Sequence, residues 1–101
     1  MKLDISGRTI SNSTLEQIVK VIHDEKSRGD FFILIKDDNR FLQATGPDDQ
    51  FIVEYREDAK SDMYSASNLL TCAELQELCQ KYFIGDPNWS TDHEWNAMGF
   101  I

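Results

Sequence analysis

The sequence predicts an α+β fold, with an antiparallel β-meander sheet and two helices packed on one face. Three observations favour it. The chain of 101 residues is 41% apolar and has no Pro-, Gly- or Ser-rich linker, so residues 1–101 are expected to form a single globular domain. Short apolar segments follow one another across tight turns, which favours antiparallel neighbours. Two segments have apolar residues at helical spacing, and each begins with a capping box.

The first predicted elements are a short strand and a helix. The strand occupies Lys2–Ile5 or Arg8–Ile10. A capping box over Ser13–Glu16 begins the helix, which runs to about Ser27. One apolar stripe of this helix faces the core, and it consists of Leu15, Ile18, Val19 and Ile22.

Four strand-like segments follow. Phe31–Ile35 is apolar on both faces, which predicts a central strand that is either covered on both sides or lies beneath the helices. Phe41–Thr45 is short and mixed. Phe51–Arg56 alternates between apolar and polar residues, as a half-buried strand does. Met63–Ser67 is predicted as the last hairpin strand.

A second helix and a tail complete the chain. The capping box Thr71–Glu74 begins the helix, and Gly85 ends it. Cys72 and Cys79 lie two turns apart on it, about 10 Å from each other, which is too far for a disulfide. They are interpreted as core thiols in a reducing compartment. Residues 86–101 lack periodicity and are predicted to be an extended loop or a short strand.

The charge is unevenly divided along the chain. Residues 1–40 contain seven acidic and seven basic residues, whereas residues 41–101 contain eleven acidic residues and three basic ones. The whole net charge of −8 therefore lies in the second segment. Two interpretations remain open, a solubilising surface or an electrostatic face for a basic protein partner.

The same composition argues against several classes of function. Eight excess negative charges would repel a phosphate backbone, so direct nucleic-acid binding is not expected. The first residues lack the apolar stretch of a secretory signal, and the longest apolar run, Phe31–Ile35, is too short to cross a bilayer. We therefore expect a cytoplasmic protein without a membrane contact.

The candidate catalytic residues have simpler explanations. His23 lies late in the first helix, where a cation is favourable, and His93 has no second histidine close enough in sequence to complete a metal site. The pair Asp37–Asp38 and the pair Asp48–Asp49 occur in turns, where Asp bonds to the local backbone. The prediction is a protein that is not an enzyme and needs no metal or cofactor.

One family has a similar order of elements. The strand Phe51–Tyr55, the helix after it, the segment Phe83–Pro87 and a nearby Trp resemble the immunity proteins of bacterial polymorphic-toxin and contact-dependent growth inhibition systems, in particular the first numbered immunity family. The similarity covers roughly the second half of the chain. It implies a cytoplasmic antidote that binds the toxic domain of a cognate effector, often a nuclease with a basic groove.

The sequence therefore predicts a partner-binding acidic surface for a cognate toxin domain. Trp is common both in small cores and in binding hot spots, so one Trp is expected in the core and the other at this surface. Two alternatives stay open, an acidic adaptor without a toxin partner and a small hydrolase that uses His93. The predicted partner-binding residues are Asp48, Asp49, Glu54, Glu57, Asp58, Asp62, Trp89 and Trp95.

Overall fold

The structure is a computed structural model that describes residues 1–46, 49–57 and 62–98. Within them, seven strands form one antiparallel sheet in the order β2-β1-β3-β4-β5-β6-β7. This confirms the predicted α+β fold. The strands are β1 Lys2–Ile5, β2 Arg8–Ile10, β3 Phe31–Asp37, β4 Arg40–Thr45, β5 Ile52–Arg56, β6 Met63–Ala66 and β7 Trp95–Met98; the helices are α1 Leu15–His23, α2 Glu25–Arg28 and α3 Cys72–Ile84.

The N-terminal part differs from the prediction in three details. Both candidate strands exist, as the hairpin β1–β2, and β3 pairs with the other side of β1. The capping box of α1 is one residue later than predicted, with Thr14 and Gln17, because the Ser13 hydroxyl is buried and donates to the Met1 carbonyl at 2.8 Å. The helix also ends at His23, because Asp24 has extended backbone angles, and a separate short helix follows.

One face of the sheet carries both long helices. The buried strand residues come from β1, β3, β4 and β5, and because strand residues alternate between the two faces, they all lie on this one. The core joins them to Ile18, Val21 and Ile22 of α1 and to the apolar stripe of α3, which confirms that β3 lies beneath the helices. The predicted stripe of α1 was partly wrong, because Val21 is buried whereas Leu15 and Val19 are only half-buried. The opposite face of the sheet is called the open face here. Among the buried core residues are Leu3, Phe32, Leu34, Leu42 and Val53 from the sheet, and Ile18, Ile22, Leu75, Leu78 and Cys79 from the helices.

A buried cation closes the C-terminal end of α1. Arg28 on α2 is only 1% exposed, and its Nη1 donates to the Ile22 carbonyl at 2.8 Å. The guanidinium carbon lies 4.6 Å from the centroid of the Phe51 ring. Cations are favourable at the negative end of a helix and over aromatic faces, so this side chain ties α1, α2 and the start of β5 together.

The helices are also too short to serve as membrane spans. In the described residues, no helix combines the length and the apolar character that crossing a bilayer requires.

Candidate functional site: an acidic cleft beside α3

A cleft of about 340 Å³ lies between α3 and the loop 86–94. Its floor consists of Leu78 and Trp89, which are both buried. Three carboxylates and one histidine surround that floor, and we call this site the acidic cleft. Its lining residues are Glu74, Glu77, Leu78, Trp89, Asp92 and His93.

The start of α3 fixes the first carboxylates. Thr71 Oγ1 accepts from the Glu74 backbone N–H at 3.2 Å, and the Glu74 carboxylate accepts from the Thr71 N–H at 3.0 Å. This confirms the predicted capping box. Glu77 is three residues further along and therefore lies on the same side of the helix.

Asp49 adds a further carboxylate at the same helix end. It accepts a hydrogen bond from the Cys72 backbone N–H, which is one of the donors left free in the first turn of α3. That bond lowers the pKa of Asp49, and the bond from the Thr71 N–H lowers the pKa of Glu74. Both groups are therefore ionised at neutral pH and somewhat below it.

The loop 86–94 turns back over α3 directly after the helix ends. Gly85 has a left-handed backbone with φ 78°, which an L side chain would adopt only under strain. The Asp86 N–H donates to the Lys81 carbonyl at 3.0 Å, and the Asp86 carboxylate accepts from the Asn88 N–H at 2.8 Å. These bonds close a tight turn and bring Asp92 beside the helix.

Lys81 joins the two walls of the acidic cleft. Its ammonium forms an ion pair with Asp92 and a second one with Glu77 at 3.4 Å, one helical turn away. The hydrogen bond between Lys81 and Asp92 raises the pKa of the ammonium and lowers the pKa of the carboxyl group. One cation thus pairs with two of the three carboxylates, and the cleft keeps a negative charge.

The two tryptophans anchor the loop from below. Trp89 is 6% exposed, and its indole N–H donates to Glu57 Oε1 at 3.1 Å. The centroid of its ring lies 4.7 Å from the ring centroid of Tyr55 and 4.8 Å from that of Tyr82, and both pairs have edge-to-face geometry. Trp95 is half-buried, and its N–H donates to the Ser90 carbonyl at 2.8 Å. Trp89 is thus in the core, as expected of one of the pair, while Trp95 keeps partial exposure.

The acidic residues predicted from the sequence lie at separate places. Asp49 is at the start of α3, whereas Glu54 is on the open face and accepts from Gln43 Nε2 at 2.9 Å. Glu57 bonds to Trp89, and Asp62 is exposed just before β6. Glu54 lies within β5 on the open face, whereas Glu57 follows the end of β5 and bonds to the buried Trp89. The single patch expected of these residues is therefore not formed by the described ones.

Two of the predicted residues, Asp48 and Asp58, lie outside the described residues.

The acidic cleft instead contains acidic residues that were not among the predicted partner-binding residues. Glu74 and Glu77 are three apart on α3, and Glu77 and Lys81 are four apart, so helical spacing alone indicates that they are neighbours. The approach of Asp92 and His93 to this helix depends on the turn at Gly85 and on the burial of Trp89. No periodicity in the sequence predicts the contact between this loop and the helix.

The two cysteines offer little nucleophilic chemistry. Cys79 is buried, as expected, and burial raises the pKa of its thiol. Cys72 is half-buried, its thiol donates to the Ile22 carbonyl at 3.6 Å, and burial raises its pKa as well. A raised pKa leaves little thiolate at neutral pH. Within the described ranges, no cluster of three or more His, Cys, Asp or Glu residues is arranged to hold a metal ion.

Comparisons with protein-family models, with curated proteins and with solved structures found no match for this chain. The similarity to immunity proteins therefore stays a prediction from the residues named above.

Proposed function

We propose that this protein is a non-enzymatic inhibitor that binds a basic protein through the acidic cleft, in the manner of an immunity protein that neutralises a cognate toxin domain. The observation that supports the proposal is the convergence of Glu74, Glu77 and Asp92 around an apolar floor. These acids replace most of the residues that the sequence argument had assigned to the partner surface.

The geometry of the cleft suits a cationic side chain. A Lys or Arg of the partner can enter the cleft with its aliphatic stem and bring its charged end to the carboxylates. Arg fits best, since its planar guanidinium can bond to two carboxylate oxygens at once. Because the carboxylates are already held by the helix cap and by Lys81, little side-chain entropy is lost on binding.

The surrounding charge favours fast encounter with such a partner. Residues 71–98 contain five acidic residues and one Lys, while residues 1–40 are balanced. A concentrated negative face attracts a basic groove over a distance comparable to the Debye length and raises the association rate. Toxin nucleases have basic grooves because their substrates are polyanions, so a nuclease-type toxin is the partner class that fits this face.

The decisive experiment combines binding with toxin inhibition. The proposal requires a toxin domain encoded directly upstream of this gene. The protein is mixed with that domain, and both complex formation and the toxin's activity are measured. We expect a complex and a loss of toxin activity. If the purified proteins do not associate and the toxin stays active, the proposal is wrong.

A matched pair of charge reversals then tests the position of the site. Glu77→Lys changes the acidic cleft, and Glu16→Lys makes the same change on the exposed side of α1. We expect Glu77→Lys to weaken binding at least tenfold, with most of the change in association rate at low salt, and Glu16→Lys to have little effect. Equal losses for both variants would show that total charge matters rather than the cleft.

A further inference from the structure

The open face of the sheet is a second surface with a regular composition. Its strand residues alternate with the buried ones, and it lies on the opposite side of the sheet from the acidic cleft. Ile33, Ile35 and Phe41 are half-buried there around a shallow depression of about 320 Å³. Ile52 is 51% exposed and Met98 is 38% exposed on the same face. The face therefore presents apolar area to water at its centre and toward its edge.

The charges on this face are arranged in two neighbouring rows. Strand register places Lys2, Ile35, Phe41 and Arg56 side by side across β1, β3, β4 and β5. This row, called row 1, has a cation at each end and apolar residues in the middle.

The next row has the opposite sign. Register aligns Asp4, Ile33, Gln43 and Glu54 across the same four strands. This row, called row 2, has an acid at each end. It is two residues from row 1 along each strand, which corresponds to about 7 Å. These four charges cancel. The depression is also lined by Asp37, which forms an ion pair with Arg40, and by Asp38, which adds a negative charge at the turn between β3 and β4.

We propose that a second copy of this chain packs on the open face, related by a two-fold axis that runs across the strands. Such an axis lays row 1 of one copy on row 2 of the other. Lys2 then meets Asp4 of the second copy and Arg56 meets Glu54 of the second copy, while Ile35 packs on Ile33 of the second copy. Two twisted sheets that stack in this way lie about 30° from alignment, a shift that long Lys and Arg side chains can span.

The charge pattern excludes the other simple two-fold arrangement. An axis parallel to the strands would lay each row on itself, with Lys2 on Arg56 and Asp4 on Glu54. Like charges in contact are strongly unfavourable at an interface. The same two rows thus favour self-association and determine its orientation.

The size of the face indicates a weak dimer. Seven strands about 4.8 Å apart and about 15 Å long give a footprint of about 500 Å² per copy. Stable interfaces usually bury about 800 Å² per partner, so this dimer belongs at the low end of the size range. Repulsion between the acidic remainders of the two copies also opposes it, and we expect association to strengthen with salt.

The first test is sedimentation equilibrium of the unmodified protein from about 10 μM to about 1 mM, the range in which weak interfaces associate. We expect the mean mass to rise from one chain toward two. A monomer throughout this range overturns the proposal. Larger open-ended assemblies also overturn it, since a two-fold interface closes at two copies.

The second test uses two charge reversals that complement each other. Arg56→Glu alone brings two glutamates together at each contact between positions 54 and 56, and Glu54→Arg alone brings two arginines together there. We expect each variant alone to dimerise at least tenfold more weakly than the unmodified chain, and an equimolar mixture to form heterodimers of about the original affinity.

Each outcome of the mixing test has a clear meaning. A mixture no tighter than either variant, with circular dichroism showing both folded, overturns the proposal. Stronger dimerisation of Arg56→Glu alone also overturns it, because that result belongs to the axis parallel to the strands. Glu77→Lys serves as the control on the other side of the molecule and should dimerise at least as tightly as the unmodified chain.

Discussion

The two long helices lie side by side on the same sheet face, yet their ends are built differently. Both begin with a Thr capping box, but the partner is the neutral Gln17 in α1 and the charged Glu74 in α3, where Asp49 adds a second acid. At the other end, α1 is closed by the buried Arg28, whereas α3 ends at Gly85 and continues into a loop that Lys81 holds from outside. Buried contacts therefore hold the end of α1, whereas the charged residues of α3 lie at the surface.

The largest expected effect comes from the interior end of α1. Arg28→Ala removes the hydrogen bond to the Ile22 carbonyl and the contact with Phe51, and it leaves a cavity. We expect the free energy of unfolding to fall by about 3 kcal/mol in urea denaturation. Lys26→Ala, on the exposed side of the same short helix, should change it by less than about 0.5 kcal/mol.

A third variant separates packing from charge at this position. Arg28→Met keeps most of the side-chain volume without the guanidinium, so we expect a smaller loss of about 1 kcal/mol. A loss as large as that of Arg28→Ala would mean that the hydrogen bond and the cation determine the stability of α1. Equal stability of Arg28→Ala and the unmodified protein would contradict the role of Arg28 in holding the end of α1.

The next effect concerns the helix starts. Thr14→Ala and Thr71→Ala each remove a hydroxyl that accepts from a first-turn N–H, at 3.2 Å in both helices. We expect each variant to lose about 1 kcal/mol of unfolding free energy, and the corresponding Ser variants to lose much less. A clearly smaller loss for Thr71→Ala would show that Asp49 and Glu74 hold the start of α3 without the threonine.

The smallest effect is a difference in pH dependence between the two capping boxes. Hydrogen bonds lower the folded-state pKa of Glu74 below its ordinary value of 4.5, so the folded protein binds this proton less readily than the unfolded chain does. The resulting stability is complete above about pH 5 and is lost as the pH falls through the lowered value. Glu74→Gln should therefore flatten the decrease in stability between about pH 5 and pH 3, measured by thermal unfolding.

The reciprocal substitution should give α1 the pH dependence that Glu74 gives to α3. Gln17→Glu gives α1 the charged box of α3, and we expect it to add about 0.3 kcal/mol at pH 7 that disappears in acid. An unchanged pH profile for both variants would mean that the hydrogen bonds seen at the start of α3 do not hold in solution.

Local chemistry made several elements predictable. The box Thr71–Glu74 and the stop at Gly85 bound α3 as expected, since capping and the left-handed glycine conformation depend only on neighbouring residues. The start of α1 was predicted one residue too early. Ser13 and Thr14 are both good caps, and the contact of Ser13 with Met1, twelve residues away, decides between them.

The site was less predictable than the fold. Asp49 was expected at the partner surface and does lie at the start of α3, beside Glu74. Glu54 and Glu57 are close in sequence, but Glu54 lies on the open face and Glu57 bonds to the buried Trp89. The approach of Asp92 to Glu77 through Lys81 joins residues from a helix and a loop, and it required the loop to be placed first.

The sequence by itself determined the α+β class, the positions of most helices and strands, and the confinement of the net charge to residues 41–101, because these depend on local periodicity, capping and composition. Only the tertiary structure decided that Asp49 and Asp92 join the acids of α3 and which apolar face of β3 stays exposed. Those outcomes depend on the turn after Gly85, on the burial of Trp89 and on the docking of both helices on one side of the sheet, which are contacts between residues far apart in the chain.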